Sequence, residues 1–146
     1  MSNAYTQANS TERAHLIALV NRLSDEQLAR PLSAGWTVSG VLAHLAFWDE
    51  RAIVLLQKWQ ESGIAPSPND IDVVNDASKP LCLALAPRTA ANLAVATAIA
   101  IDQTIEKLDP AFMAEVETNG KTVRLDRANH RRGHLAEIEQ ALGLSA

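Results

Sequence analysis

The chain has 146 residues, 47% hydrophobic and 21% charged, with a net charge of −4, enough for one well-buried core, and residues 1–146 are read as a single domain. Six glycines and six prolines exclude collagen-like and low-complexity classes, while an isoelectric point near 5.5 argues against nucleic-acid binding. The lone Cys82 precludes an internal disulfide, and the polar start "MSNAYTQANSTERAH" lacks a signal-peptide apolar run; both favour a cytoplasmic protein.

The first predicted helix runs from about Ser10 to Leu23, with Asn9 and Glu12 spaced as a capping box and Leu16, Leu19, Val20 and Leu23 as its apolar stripe. Ser24 with Gln27 forms a second capping pattern that opens a short helical turn before Pro31. Thr37 is a good N-cap for the longest stretch, Val38 to Glu61. There Val38, Val41, Leu42, Leu45, Trp48, Ala52, Leu56 and Trp59 recur at helical spacing. His44 falls at the border of that stripe. Asp49 falls inside it, which is unusual for a carboxylate and implies a partner, either an arginine of the last helix or a histidine whose tautomer it fixes.

From Ser62 to Ala86 the periodicity is lost, and three prolines punctuate "SGIAPSPNDIDVVNDASKP". A connection this long within one domain is often functional, and it could join non-adjacent helices. The third long helix spans about Arg88 to Leu108, with Pro87 at its first turn and Ala90, Ala94, Ala98, Ile101, Ile105 and Leu108 on one face. Its apolar run, Ala90 to Ile101, is too short to span a bilayer. Asp109-Pro110 ends it and caps a short helix around Phe112; "TNGKT" then reads as a turn. The fourth long helix begins between Val123 and Asp126 and ends near Gly143, with Leu135, Ile138 and Leu142 inward. No strand-like alternation or internal repeat appears. The fold class is all-α.

His130 and His134 stand four apart, so they share one face of the fourth helix and can chelate one ion. A third imidazole, His44, would complete a three-nitrogen site with an open coordination position. The motif is not a metalloprotease H-E-x-x-H, because Arg131 stands at the glutamate position. The bland alternative is three half-buried histidines bonded to nearby carbonyls. Glu137 follows His130 by seven residues and lies nearly above it; it is read as a partner of a ligand histidine, as a base, or as an ion-pair partner of Arg131 or Arg132. Arg124, Arg127, Arg131 and Arg132 make the last helix locally basic, most simply as a solvated face, alternatively as a lure for an anionic substrate. Trp36, Trp48 and Trp59 are assigned to core and rim packing. Gly133 is odd inside a helix; it is either a close-approach point or a tolerated surface glycine. Apolar neighbours argue against a nucleophilic Cys82.

The stretch "GWTVSGVLAHLAFWDERA", the "DIDVVND" connection and the terminal "NHRRGHLAEIEQAL" together resemble the DinB-like superfamily, the DinB/YfiT metalloenzymes, over roughly Thr11 to Leu142. The resemblance implies a four-helix bundle with a long crossover connection between the second and third helices. It also implies a divalent metal, zinc or nickel ahead of iron or manganese, held by His44, His130 and His134. Members include thiol-dependent S-transferases, a mycothiol-dependent isomerase and hydrolase-like proteins. The expected function is therefore metal-dependent thiol transfer or hydrolysis on a small electrophilic molecule, with a low-molecular-weight thiol as possible co-substrate. A non-catalytic bundle that binds a small molecule or partner is the competing reading. A homodimer is expected from the family; no nucleic-acid or membrane partner is.

Overall fold

The computed structural model describes residues 4–144. Four long helices build its frame: α1 (Thr6–Arg22), α3 (Val38–Ser62), α5 (Pro87–Glu106) and α7 (Ala128–Leu142). Shorter helices α2 (Asp25–Leu28), α4 (Ile71–Ala84) and α6 (Pro110–Asn119) lie in the connections, with a 3₁₀ turn at Ser33–Gly35. Among the described residues there is no strand, and no helix is long and apolar enough to cross a membrane.

Local chemistry accounts for most boundaries. The Ser24 hydroxyl accepts from Gln27 N at 3.2 Å while Gln27 Oε1 accepts from Ser24 N at 2.9 Å, a complete capping box. The Thr37 hydroxyl accepts from Gly40 N at 3.0 Å and starts α3. Pro87 opens α5, where its missing N–H costs nothing. Gly143 closes α7 with a φ of 68°, in the left-handed region where glycine is unstrained. The Asn9–Glu12 capping box does not form. Helix α1 begins at Thr6, so both residues lie inside it, and both are buried.

α1 packs on α5 and α7, and so does α3, so α3 and α5 are adjacent rather than diagonal. Two apolar clusters reveal their direction. Val41, Leu42 and Leu45 share one cluster with Ala91, Ala94 and Ala98; Ile53, Leu56 and Trp59 share the other with Ile101 and Ile105. Early meets early and late meets late, so the two helices run parallel. Parallel neighbours need a return path, and α3, with 25 residues, is about 37 Å long at 1.5 Å per residue. The long connection supplies that path, and most of it is helix α4. Trp48 Nε1 donates to Asn75 Oδ1 at 2.9 Å, Lys79 Nζ donates to Ala34 O, and Leu83 lies against Gly40, so α4 runs back along α3.

The sequence pattern concealed α4 because its polarity is inverted. Small Ser78 and Cys82 face inward, while Ile71, Val73 and Leu81 are exposed. Pro80, inside the helix, removes one backbone donor and further masks the signal.

Candidate metal centre

His44 projects from the second turn of α3, and His130 and His134 from successive turns of α7. One ring nitrogen from each lies within 4.8 Å of the other two, and this is the only such grouping of potential ligands among the described residues. His44 Nε2 and His130 Nε2 are 3.2 Å apart, and the three ring centroids are 4.9 to 5.2 Å from one another. The three histidines picked out from the sequence are thus brought to one point; His15, which was not, instead bridges Glu12 and Glu139 at 3.2 and 2.8 Å.

Burial governs their protonation. It pushes His44 down to about 4, with the neighbouring charge of His134 adding to the effect. His130 is lowered to about 3, first by burial, then by His134, His44, Arg127 and Arg131. His134 is lowered by burial as well, opposed by the Glu137 carboxylate. All three are therefore neutral near pH 7, the form in which imidazole is a ligand. His44 Nδ1 and His134 Nδ1 are buried without a hydrogen-bond partner. Neutral nitrogen bases that face one another, with few other partners, are a donor set suited to a first-row divalent cation.

A cavity of about 730 Å³ opens over the histidines. Trp36 forms part of its wall, edge-on to His44 with centroids 5.7 Å apart, and Trp48 forms another part. Of the tryptophans assigned to packing, only Trp59 is a core residue; the other two also face the cavity. The long connection and α4 contribute Asn69, Ile71, Asn75 and Asp76 to the wall, and Arg124, Arg127 and Asn129 come from the approach to α7 and its first turn. Glu137 also lines the cavity, and its Oε2 is 3.7 Å from His134 Nδ1, an ion-pair distance just beyond hydrogen bonding. It does not pair with Arg131 or Arg132.

The arginines of α7 correct the solvated-face reading. Arg131 is only 1% exposed. It forms a bidentate pair with Asp102 of α5, at 2.9 Å for both bonds. Arg127 is also buried and meets Asp49 of α3 at 2.9 to 3.0 Å, which supplies the partner that Asp49 required. Arg124 and Arg132 are the exposed ones, as that reading had it, and Arg132 pairs with Glu12 at 3.0 Å. Gly133 is exposed and has open space around it, so it is a tolerated surface glycine.

The family model described as mycothiol maleylpyruvate isomerase N-terminal domain matches residues 10–139. No curated protein and no solved structure matches the chain.

Proposed function

The chain belongs to the mycothiol maleylpyruvate isomerase N-terminal domain family, within the DinB-like superfamily, and on that premise we propose that it is a metal-dependent enzyme acting on a small electrophilic molecule by thiol transfer or hydrolysis. The observation that carries this reading is the convergence of His44, His130 and His134 at the floor of a cavity large enough for a small molecule. A divalent cation held by these three neutral imidazoles, zinc or nickel by preference, would supply a Lewis-acidic centre that retains its full +2 charge and a free coordination position.

The chain's own residues supply the rest. His44, His130 and His134 stay unprotonated at neutral pH, so no proton has to leave them before they bind. Glu137 acts on both sides of the site in this proposal. One carboxylate oxygen stands 3.7 Å from His134 Nδ1, where its charge favours the proton on that nitrogen and leaves Nε2 as the ligand atom. The other faces the cavity, where it accepts the proton that a water or a low-molecular-weight thiol gives up on becoming a nucleophile. The Trp36 ring covers His44 and keeps bulk water from that side.

The test is metal content and thiol chemistry of tag-free protein. Wild type reconstituted with zinc or nickel is expected to hold one ion per chain and to accelerate thiol consumption by a generic electrophile. His44→Ala, His130→Ala and His134→Ala should each weaken metal binding by more than about 100-fold. Unchanged metal content in all three variants refutes the reading. Stoichiometric metal without any turnover over a broad electrophile panel leaves a binding protein.

A further inference from the structure

Between the two apolar clusters of the bundle lies a buried layer of charge. Asp49 of α3, Asp102 of α5, Arg131 of α7 and Arg127 at the N-cap of α7 form it, and the half-buried Arg13 of α1 joins it from the edge, so that all four long helices take part. Arg13 Nη1 reaches Asp102 at 2.8 Å, and Arg131 Nη2 approaches Asp49 at 3.6 Å in addition to its bidentate bond. We propose that Asp49, Arg127 and Arg131 are positioning residues: their ion pairs set the roll of α7 against α3 and so aim the three imidazoles at one point. The inference deepens the metal-site reading and rests on it for the identity of the cation.

The register of α7 carries the argument. Arg127 and Arg131 are an i,i+4 pair, and so are His130 and His134, offset from the arginines by three residues. An offset of three residues turns the histidine face by about 60° from the arginine face on a helix of 3.6 residues per turn. Fixing one face therefore fixes the other. Side-chain tips lie about 5 to 6 Å from a helix axis, so a roll of about 20° carries a ring nitrogen roughly 2 Å. Metal–nitrogen bonds tolerate about 0.2 Å. The Leu135 and Ile138 contacts on the same helix are apolar, and apolar burial has no direction. A planar guanidinium on two carboxylate oxygens does have one. Asp49 is on the helix that carries His44, so its bond to Arg127 couples the two halves of the histidine site directly.

Buried ion pairs are also poor sources of net stability, and apolar replacements of both partners often leave a fold as stable or more so. That separates positioning from structure. The experiment uses the full chain with Asp49→Leu and Arg127→Met combined, and in parallel the milder Asp49→Asn. Metal affinity is read by competition against a chelator, apo-protein stability by urea unfolding, and imidazole proximity by nuclear Overhauser effects between the His44 and His130 rings in metal-free protein. The expected result is a 10- to 100-fold loss of affinity, a range of about that size being typical for outer partners of metal ligands. It should come with lost His44–His130 cross-peaks and an unfolding midpoint equal to or above wild type in the double variant. Should the double variant not fold, Asp49→Asn carries the same two site readouts. Unchanged affinity and cross-peaks overturn the proposal. So does an affinity loss that only tracks lost stability. Wild-type protein that binds no metal but shows cross-peaks sensitive to these substitutions would sink the metal-site reading and leave the positioning role intact.

Discussion

Replacing Asn9 with alanine distinguishes two physical accounts of one residue. As an N-cap of α1 it would stabilise the protein by about 1 kcal/mol. In the structure it lies inside α1, 2% exposed, and serves a helix more than a hundred residues away. Its Oδ1 accepts from Arg127 N at 2.9 Å and Ala128 N at 3.0 Å, and its Nδ2 donates to Leu125 O at 3.0 Å. Alanine leaves two buried N–H groups and one carbonyl without partners at the entrance to α7. Each stranded group costs about 1 to 3 kcal/mol, so the expected loss is at least about 3 kcal/mol. That is a large part of the 5 to 15 kcal/mol that typically holds a domain together. With a urea slope near 2 kcal/mol/M, the midpoint falls by about 1.5 M. Urea unfolding of metal-free protein followed by far-ultraviolet circular dichroism measures it. A loss of about 1 kcal/mol or less would refute the remote-cap account, since an ordinary cap explains that much.

Further outcomes follow from the same geometry. In metal-free protein His44 and His130 titrate near 4 and 3, below the roughly 6.5 of an unfolded histidine. Between those limits the unfolded chain binds more protons, so stability is full above about pH 6.5 and declines as pH falls toward 4, by at most about 1.4 kcal/mol per unit for each histidine. His44→Phe should flatten that decline in urea midpoints measured across pH; an unchanged slope contradicts the burial argument. Gly133→Ala should raise stability by up to about 1 kcal/mol, because a methyl there meets open space and alanine favours the helix; a lower melting temperature would show that the glycine has a structural task. Gly120→Ala should lower stability by about 1 to 3 kcal/mol, because its Cβ would come within 2.6 Å of the Trp59 ring in a packed region, and tryptophan fluorescence should report the displaced ring.

Much of the frame was legible in the residues alone because its signals are local. The apolar periodicities of α3, α5 and α7, the Ser24–Gln27 box, the Thr37 cap and the Gly143 stop all act within a turn or two of chain, and the box, the cap and the stop appear where the spacing placed them, while α7 starts at Ala128, after the Val123 to Asp126 expected. The His130–His134 spacing is local in the same sense, while His44 is far from the pair in sequence and joins it only as the third nitrogen a site needs and through the family layout. Helix α4 escaped because Ile71, Val73 and Leu81 are exposed while Ser78 and Cys82 are buried, which defeats any reading that assumes large apolar residues face inward. Asn9 and Arg131 escaped for a different reason, and Arg127 was foreseen only as an unspecified arginine partner for Asp49. Their side chains look polar and solvated in sequence, and their distant partners lie from 29 to 122 positions away. Short-range sterics and hydrogen bonding thus decided which segments coil and where they stop. Which polar groups could afford to leave water was decided only by packing, because a guanidinium or an amide is tolerated inside when the fold delivers its counter-charge or acceptor from another helix.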